Sequence, residues 1–512
     1  MYKFNEVPLD DNKTYELFAK GDTLGVFQLE RQLGQDWSKR IKPKDITSIS
    51  DLIALIRPGA LESGQSELYA KRCNYEEPIE YLHPALESVL KDTYGCLCYQ
   101  EQAIRIAMDI AGFTDIKADM LRKCIGKKDP VLMAEMKQEF LEGCEKNGVV
   151  TKEQADEIFS WIEKGQRYSF NKSHGLFYAL NAYHSAYAKV NYPTEFYTAY
   201  LTYSKYKPSP REEIYNLVQN AKRNNVEVYP PDIRKKNVDF DMIGDRKVIF
   251  GLSHIRGIGE ANINKLKNVN VNSFIDLIAN SKKLNKGVIE ALIKSGACDC
   301  YELSRNYMVR CLYAVLGQDN STETPLDLRS LSSKELQFFY DNIKNIGDIE
   351  NVLNKIIENN ICINKRKNII KNKINYIVNA PEDTSKIKSI WEKLYLGLNI
   401  SCSAADDYNN KPGTISCKTV YSIEYQTRFT INVVIDKIYK KKTSEKSKIP
   451  NSPYCYLDVS DNSCNLSRVI CWPELYNNVK EQIYEGCVAN IRAYKNKWNN
   501  RDQIIVNNLE VI

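Results

Sequence analysis

The sequence contains none of the features that would place the protein in a membrane or mark it for secretion. No stretch of its 512 residues reaches the ~18 consecutive apolar residues that a membrane-spanning helix requires. The first segment, MYKFNEVPLDDNKTYELF, has no apolar core of the kind that secretory signal peptides carry. We therefore expect a cytoplasmic protein that has no membrane partner.

Metal-binding motifs are missing as well. Histidine is scarce, with four residues, whereas cysteine occurs 15 times. The cysteines of CLC (96–98) and CDC (298–300) lack the CxxC spacing of zinc sites, and no histidine pair accompanies them. Without a secretion signal, we expect reduced and buried thiols rather than disulfides or zinc ligands.

The overall charge says little about function. Lys and Arg total 71 against 65 Asp and Glu, which gives a net charge of +6. So mild a positive charge does not by itself indicate a nucleic-acid-binding protein. Local patterns are more informative than the bulk charge.

The hydrophobic pattern divides the chain into four segments and predicts a multidomain α+β protein. Residues 1–235 are predicted to be mostly helical and to end at the rigid turn VYPPDI. Residues 236–320 form a small region that contains IRGIGEANINKL, and residues 321–415, which are rich in Lys and Asn, are expected to be a poorly packed connector. Over residues 416–512, apolar and polar residues alternate in five short segments, which predicts a small β-barrel.

Two helices and a cationic group can be placed in the first segment. EQAIRIAMDIAG should form a helix that ends at Gly112, and Thr114 should cap the next helix, DIKADMLRKCIG. Cations gather at the end of that second helix: Arg122, Lys123, Lys127 and Lys128. They could bind phosphate, or they could simply favour the negative end of the helix dipole.

A second group of phosphate-capable donors lies in the stretch RYSFNKSHGLFYA, at residues 167–179. Lys172 offers a point charge, and Asn171 and Ser173 offer neutral donors. His174, when protonated, could donate to a phosphate or act as a general acid. Alternatively, it could make a structural hydrogen bond to the backbone. The aromatic neighbours are predicted to pack rather than to stack on bases: Tyr168, Phe170 and Phe177.

The segment IRGIGEA is typical of a helix-hairpin-helix turn. Its Gly257-Ile258-Gly259 sequence leaves backbone N–H groups at a helix start for a DNA phosphate, and Arg256 adds charge. The turn could instead be purely structural. Phosphate contacts of this type are independent of DNA sequence and sensitive to salt.

Two stretches of the barrel segment, residues 437–452 and 494–503, are predicted to be its long loops. Loops of this kind bind single strands in OB-folds. Trp498 could stack on a base, or it could dock on a neighbouring domain. The candidate DNA-binding residues in these stretches are Lys440, Lys441, Lys442, Lys497, Trp498 and Arg501.

Nine stretches follow one another in a fixed order over nearly the whole chain: GVFQLE, LIALIRPGAL, YGCLCYQEQAIRIA, DMLRKCIGKKDP, YSFNKSHGLFYALNAY, YPTEFYTAYLT, FGLSHIRGIGEANI, LNKGVIEALIKSGACD and YLGLNIS. In this order they resemble the alpha subunit of bacterial DNA polymerase III, the family C replicative polymerase. The resemblance implies a helical fingers domain at 1–235, a helix-hairpin-helix region with clamp contact at 236–320, a connector at 321–415 and a nucleic-acid-binding OB-fold at 416–512.

The resemblance also assigns the cationic groups to the incoming nucleotide. The implied nucleotide-binding residues are Arg122, Lys123, Lys127, Lys128, Asn171, Lys172, Ser173 and His174. The segments at Arg57–Gly59 and Tyr99–Gln102 are implied to be fingers scaffold near the substrate.

The family's catalytic aspartates belong to a palm domain upstream of sequence that resembles VPLDDNKTYELF. We therefore expect Mg²⁺ to be bound in the assembled polymerase by a separate palm polypeptide, and this chain to be inactive alone. The single Asp-x-Asp, at Asp239 and Asp241, aligns with a strand that precedes the hairpin region, so we expect it to hold no metal.

Two functions remain open. One is the fingers-to-OB half of a split, phage-like DNA-directed DNA polymerase in the bacterial cytoplasm, with DNA, dNTPs and a palm polypeptide as partners. The other is a non-catalytic DNA-binding accessory protein of a replisome. A sliding clamp is a further candidate partner, although the nearest clamp-binding peptide, KELQFFYDN at 334–342, has short spacing.

Overall fold

The chain folds into helices over most of its length and into a closed β-barrel near its carboxyl end. The computed structural model describes residues 6–127, 130–166, 169–318, 329–408, 412–498 and 501–512. These residues divide into two compact units at Tyr192 and Pro193. None of the described helices is long and apolar enough to cross a membrane.

The first unit consists of helices in its described part, apart from one isolated bridge between Tyr99 and Phe170. The helices are α1 Asn12–Lys20, α2 Gln32–Ile41, α3 Ile46–Leu55, α4 Pro58–Glu62, α5 Gln65–Cys73, α6 Glu87–Leu90, α7 Gln100–Ala111, α8 Asp115–Lys127, α9 Pro130–Asn147, α10 Lys152–Gln166 and α11 Lys172–Asn191. They enclose one core around α3 and α11 and a second core around α7 to α10.

The predicted ends of two of these helices are confirmed. Gly112 follows α7 with a φ of 65°, in the left-handed region that glycine adopts without strain. The Thr114 hydroxyl accepts a hydrogen bond from the backbone N–H of Lys117 in the first turn of α8.

The second unit begins with two helices and a small sheet. These elements are α12 Pro193–Tyr203, α13 Pro210–Arg223, β1 Glu227–Tyr229, β2 Asp241–Gly244 and β3 Lys247–Ile249. The sheet order is β1-β3-β2, with β1 parallel and β2 antiparallel to β3. The hairpin region follows, with α14 Glu260–Lys267, α15 Phe274–Ala279, α16 Lys286–Lys294 and α17 Arg305–Leu316.

The segment expected to be a poorly packed connector forms four well-packed helices, so that expectation was wrong. They are α18 Ser333–Ile346, α19 Ile349–Glu358, α20 Asn364–Val378 and α21 Ser385–Leu396. Phe339, Ile356 and Ile370 are fully buried. The Lys373 ammonium is buried as well and donates to the carbonyls of Ala314 and Arg329 at 2.8 and 2.6 Å.

The predicted β-barrel is confirmed. Its elements, after the short helix α22 Cys417–Ser422, are β4 Arg428–Lys442, β5 Pro453–Ser460, β6 Asn465–Cys471, α23 Pro473–Val479, β7 Val488–Trp498 and β8 Arg501–Val511. The strands close in the order β4-β5-β6-β8-β7, with β6 and β8 parallel. A closed five-stranded barrel of this topology is consistent with an OB-fold.

The 15 cysteines remain thiols rather than disulfides, and most of them are buried. The expectation that the thiols are buried is therefore confirmed for most of them. The domain bounds drawn from the sequence remain predictions, because the compact units divide at a different place.

Candidate nucleotide and nucleic-acid interface

The first candidate site lies where α7 and α11 begin side by side. The backbone N–H of Gln100 donates to the Phe170 carbonyl at 2.9 Å, and that of Phe170 donates to the Cys98 carbonyl at 3.0 Å. This short bridge holds the first turn of α7 against the FNKSH turn. The two segments that the sequence singled out separately therefore form one surface.

Glu101 ties the two helix starts together. Its carboxylate accepts the Asn171 Nδ2 hydrogen at 2.8 Å and the Lys172 backbone N–H at 3.0 Å. The Asn171 Oδ1 caps α11 by accepting the backbone N–H of His174 at 2.8 Å. Asn171 thus uses its amide to hold the turn together, and its role as a donor to phosphate stays a prediction.

A buried carboxylate lies beneath this surface. Asp51 accepts hydrogen bonds from the hydroxyls of Tyr99 and Tyr69 at 2.5 and 2.7 Å. Burial raises the pKa of the Asp51 carboxyl to about 6, although the two tyrosines favour its charged form. Ser50 completes the network through a 2.8 Å hydrogen bond with the Tyr99 hydroxyl.

Gly175 lets α11 approach this network closely. A Cβ at this position would lie 2.6 Å from the Ser50 Oγ. Because glycine has no Cβ, the first turn of α11 can pack directly on α3. The donors of the FNKSH turn therefore project from a rigid base.

Lys172 and His174 present their side chains at the surface. The Lys172 ammonium lies 5.7 Å from the centroid of the Tyr99 ring, and within the described ranges it forms no ion pair. The His174 ring packs between Phe170 and Tyr178, with centroid distances of 5.3 and 4.1 Å. Its ring nitrogens have no hydrogen-bond partner among the described residues. The structure therefore does not contain the alternative that the sequence left open, a hydrogen bond from the His174 side chain to the backbone. Ser173 is exposed beside them.

Arg57 adds a second basic side chain to this surface beside Lys172. Its guanidinium lies over the Phe170 ring at 3.6 Å, and burial lowers its pKa. Phe170 is buried beneath it, as predicted. Phe177, by contrast, is 72% exposed, so the prediction that it packs was wrong. The reason is its place on α11, opposite the face that packs on α3.

The α8 cations reach the same surface through one residue. Arg122 donates from Nη1 to the Gln100 Oε1 at 3.4 Å. Its Nε also bonds Asp119 at 2.8 Å, and the exposed Lys123 ammonium bonds the second oxygen of Asp119 at 2.8 Å. One carboxylate therefore offsets two of the predicted phosphate-binding charges. Lys128 and the side chain of Lys127, which complete the predicted group, lie outside the described residues.

The Asp-x-Asp pair has another role in the structure. Asp239 accepts hydrogen bonds from Lys205 at 2.9 Å and Ser253 at 3.2 Å, and lies 3.3 Å from the His254 Nε2. Asp241 is exposed at the start of β2. In the described part of the chain, no group of three His, Cys, Asp or Glu side chains is arranged to hold a metal ion.

The second candidate site is the helix-hairpin-helix turn. Gly257 has a φ of 87°, which favours glycine, and Gly259 is the residue before α14. A Cβ at either glycine would meet no atom within 4 Å, so the turn is open to solvent. A groove of about 350 Å³ runs beside it and is lined by Arg256, Gly257, Asn262, Asn285, Gly287, Val288, Leu394 and Tyr395.

The third candidate site is one side of the barrel, and here the predicted loops were wrong in part: residues 443–452 connect β4 and β5, but residues 437–442 and 494–498 belong to strands. Lys440, Lys441 and Lys442 lie in β4 and pair with residues 453–455 of β5. Lys497 and Trp498 end β7, and Trp498 pairs with Arg501 in β8. β4 and β5 stay paired as far as Lys442 and Pro453, and cross-strand pairs such as Lys441–Tyr454 stabilise this part of the two strands. The side chain of Arg501 lies outside the described residues.

Sequence reasoning missed the aromatic pairs on this side. Tyr439 stacks on Tyr456 at a centroid distance of 4.8 Å, and Tyr454 stacks on Trp472 at 5.2 Å. The alternation of β5, with Cys455 inside the barrel, could have revealed two outward tyrosines. Trp498 is 64% exposed, at the end of the strand.

The comparisons with known proteins match the two regions that carry the first and second sites. Residues 1–148 match the bacterial DNA polymerase III alpha subunit finger domain, and residues 225–308 match the helix-hairpin-helix motif. Among curated proteins, the chain is similar to DNA polymerase III subunit alpha of Aquifex aeolicus, with 41% identity over 60% of this chain and 26% of that protein. The Escherichia coli K12 subunit is 38% identical over 57% of this chain and 26% of its own length.

A third relative extends the match. The subunit of Buchnera aphidicola from Acyrthosiphon pisum is 33% identical over 71% of this chain and 31% of its own length. The matched segment thus spans between a quarter and a third of these relatives. Over its finger and helix-hairpin-helix regions, the chain is therefore similar to bacterial DNA polymerase III alpha subunits.

Proposed function

We propose that this chain supplies the fingers, hairpin and barrel parts of a replicative family C DNA polymerase. The first unit binds the phosphates of the incoming dNTP, and the second unit binds DNA. The observation that carries this proposal is the surface at the start of α7 and α11, within the finger-domain match. Arg57, Lys172 and His174 face outward there, on a base held by Glu101 and Asp51.

The chemistry assigned to this surface is charge stabilisation. In phosphoryl transfer, negative charge accumulates on the triphosphate and on the leaving pyrophosphate, and fixed donors lower the barrier most when they need no rearrangement. Lys172 supplies a positive charge, and a protonated His174 supplies a donor hydrogen for a phosphate oxygen. Arg122 lies at the edge of the surface, and its hydrogen bond to Gln100 holds it there.

The remaining parts of the reaction are assigned to partners. Mg²⁺, held by the aspartates of a separate palm polypeptide, activates the primer hydroxyl and stabilises the leaving group. The open hairpin turn at Gly257 and Gly259, with Arg256, contacts DNA phosphates, and the barrel binds a single strand. The complex works in the bacterial cytoplasm, with a phage as the source of the split gene and a sliding clamp as an additional partner.

Primer extension tests the proposal. The isolated chain, supplied with primed template, Mg²⁺ and dNTPs, is expected to give no extension, because the catalytic aspartates belong to the palm polypeptide. Addition of a palm-containing polypeptide from a related alpha subunit is expected to produce extension. Robust synthesis by the chain alone would contradict the split arrangement, and DNA binding without synthesis in both mixtures would favour the accessory protein.

Single-stranded DNA binding tests the barrel. Trp498→Ala is expected to weaken binding by about the same factor at every salt concentration, since stacking releases no counterions and contributes ~1–3 kcal/mol per base. Replacing Lys440, Lys441 and Lys442 with alanine should instead flatten the slope of log affinity against log salt. The expected change is about 0.7 for each DNA phosphate that the variant no longer neutralises. If neither variant differs from the parent in a fluorescence anisotropy titration, this side of the barrel faces protein rather than DNA.

A further inference from the structure

Two of the buried cysteines face each other inside the barrel. Cys455 on β5 and Cys471 on β6 are register partners in an antiparallel strand pair. Both side chains are fully buried in the barrel core, and the Cys471 thiol donates a hydrogen bond to the Cys455 sulfur. Among the strands that the structure describes, no other two cysteines are register partners.

The strand register places these two cysteines close to the separation that a disulfide needs. Residues directly opposite each other in an antiparallel pair have Cα atoms about 4.5 or about 5.5 Å apart, and disulfides join Cα atoms about 4.4–6.8 Å apart. The Cβ atoms of such pairs are about 4.5–5.5 Å apart, whereas a disulfide requires about 3.5–4.5 Å. A movement of about 1 Å, with no change of register, therefore suffices to form the bond.

The surroundings of Cys455 favour its thiolate. The hydrogen bond from Cys471 lowers the pKa of Cys455, burial opposes this change, and the positive charge of Lys440 lowers the pKa further. Lys440 is the register partner of Cys455 on the other side, in β4. The same hydrogen bond, together with burial, raises the pKa of Cys471. Cys455 is therefore the thiol that ionises first, and it is the nucleophile of the pair.

The pair lies at one end of the barrel. Cys471 is the last residue of β6, and Cys455 lies near the beginning of β5. The helix α23 begins two residues after Cys471 and packs on β5. Because the ends of strands open locally at a lower free-energy cost than their centres, a small oxidant can reach the two thiols without unfolding of the barrel.

We propose that Cys455 and Cys471 form a reversible disulfide that locks this end of the barrel under oxidising conditions. This inference goes beyond the proposed function and does not depend on it. The oxidant is a small-molecule disulfide. The Cys455 thiolate attacks one of its sulfurs, forms a mixed disulfide and releases one small thiolate.

The second step closes the bond. Cys471 loses its proton, attacks the Cys455 sulfur of the mixed disulfide and releases the second small thiolate. Two electrons thus pass from the cysteine pair to the small disulfide, and its two halves take up the two protons as thiols. An excess of a reducing thiol drives the same steps backwards.

The bond restrains the part of the barrel between the two cysteines. It closes a loop over residues 455–471, which contains most of β5 and all of β6. Closing a loop limits the conformations of the unfolded segment and so disfavours its opening. Tyr454 and Trp472 adjoin the cysteines in sequence and stack on each other at 5.2 Å. The disulfide therefore also fixes the strand ends that carry these two rings.

Peptide mapping by mass spectrometry tests the inference on the folded full chain. The chain is equilibrated with glutathione disulfide, and its remaining thiols are alkylated before digestion. We expect a linked peptide pair that joins Cys455 to Cys471, and dithiothreitol should restore both thiols. Hydrogen exchange of the β5 and β6 amides should be about tenfold slower in the oxidised chain than in the reduced chain.

Two variants complete the experiment. Cys487→Ser is the matched control, since Cys487 is a buried thiol of the same barrel core, and it should keep both the linked peptides and the slower exchange. Cys471→Ala should lose both. The parent chain by itself decides whether the bond forms, so the test does not depend on the folding of either variant.

Three results would overturn the inference. The first is a folded parent chain in which Cys455 and Cys471 remain free after the treatment with glutathione disulfide. The second is a bond that forms only in urea, because the folded arrangement of the strands would then not be its cause. The third is a linked pair without slower exchange in β5 and β6, which would show that the bond does not lock the barrel.

Discussion

Replacing Arg305 with methionine is expected to lower the free energy of unfolding of the second unit by about 3–5 kcal/mol. Arg305 begins α17 and is fully buried. Its guanidinium donates to Asp299 at 2.8 and 2.6 Å and to Glu392 at 2.8 Å. Glu392 is fully buried too, so methionine would leave its carboxylate without a cation in the protein interior.

A double variant identifies the cause of that loss. Glu392 also accepts the backbone N–H groups of Ile400 and Ser401 at 2.8 and 3.0 Å. Glutamine at position 392 keeps a carbonyl oxygen for these donors and removes the charge. Arg305→Met with Glu392→Gln should therefore be more stable than Arg305→Met alone, because no buried carboxylate remains unpaired.

Urea unfolding, read out by hydrogen exchange of α17 and α21 amides, measures these differences. The matched control is Lys437→Met, since Lys437 pairs with Glu212 at 3.5 Å and both side chains are exposed. Surface pairs of this kind contribute ~0–1 kcal/mol. A loss of less than ~1 kcal/mol in Arg305→Met, no more than a surface pair contributes, would show that water or another group compensates Glu392.

The same ion cluster shows why the sequence misjudged residues 321–415. Their sequence does show a short helical repeat at Ile349, Val352, Leu353 and Ile356, all of which are buried, but the Lys- and Asn-rich composition around it led us to expect poor packing. The contact that anchors this segment joins Arg305 to Glu392, which lie 87 positions apart. Composition averages over such repeats, and no local pattern reports a pairing at that separation.

Other parts of the fold could be predicted from the sequence because they depend on neighbouring residues. Gly112 and Thr114 fix helix ends through their own backbone and side chain, and alternation with a period of two predicts the barrel strands. The lengths of the strands could not be predicted, because they depend on the cross-strand partner, as in the Lys441–Tyr454 pair.

Only part of the candidate nucleotide surface could be predicted from the sequence. The FNKSH donors could be named from the sequence as a cluster of cations and polar groups. The residues that hold these donors in place could not be named from the sequence. Glu101 bonds Lys172, which lies 71 positions away, and Asp51 bonds Tyr99, which lies 48 positions away. Acidic residues in a helix or its first turn are common, and only the folded chain shows what they bind.

Lys172→Ala is expected to reduce nucleotide incorporation by the complex with a palm polypeptide about 10²–10³-fold, a loss of about 2.7–4 kcal/mol in the barrier. The backbone of Lys172 is fixed by its hydrogen bonds to Glu101, while its ammonium rests over the Tyr99 ring without an ion pair in the described ranges. A charge held in this way needs little rearrangement when negative charge accumulates on the triphosphate.

Single-turnover incorporation and DNA affinity, measured on the same preparations, decide the role of Lys172. Its matched control is Lys20→Ala, because Lys20 is exposed in the same unit and pairs with Glu16 at 3.2 Å. Lys172→Ala should lower the incorporation rate with DNA affinity nearly unchanged, and Lys20→Ala should change neither. His174→Ala should follow Lys172→Ala if, as proposed, both side chains contact the phosphates of the dNTP. An equal loss of DNA affinity in Lys172→Ala would instead assign the lysine to the template, and rescue by Lys172→Arg would show that charge rather than side-chain shape is required.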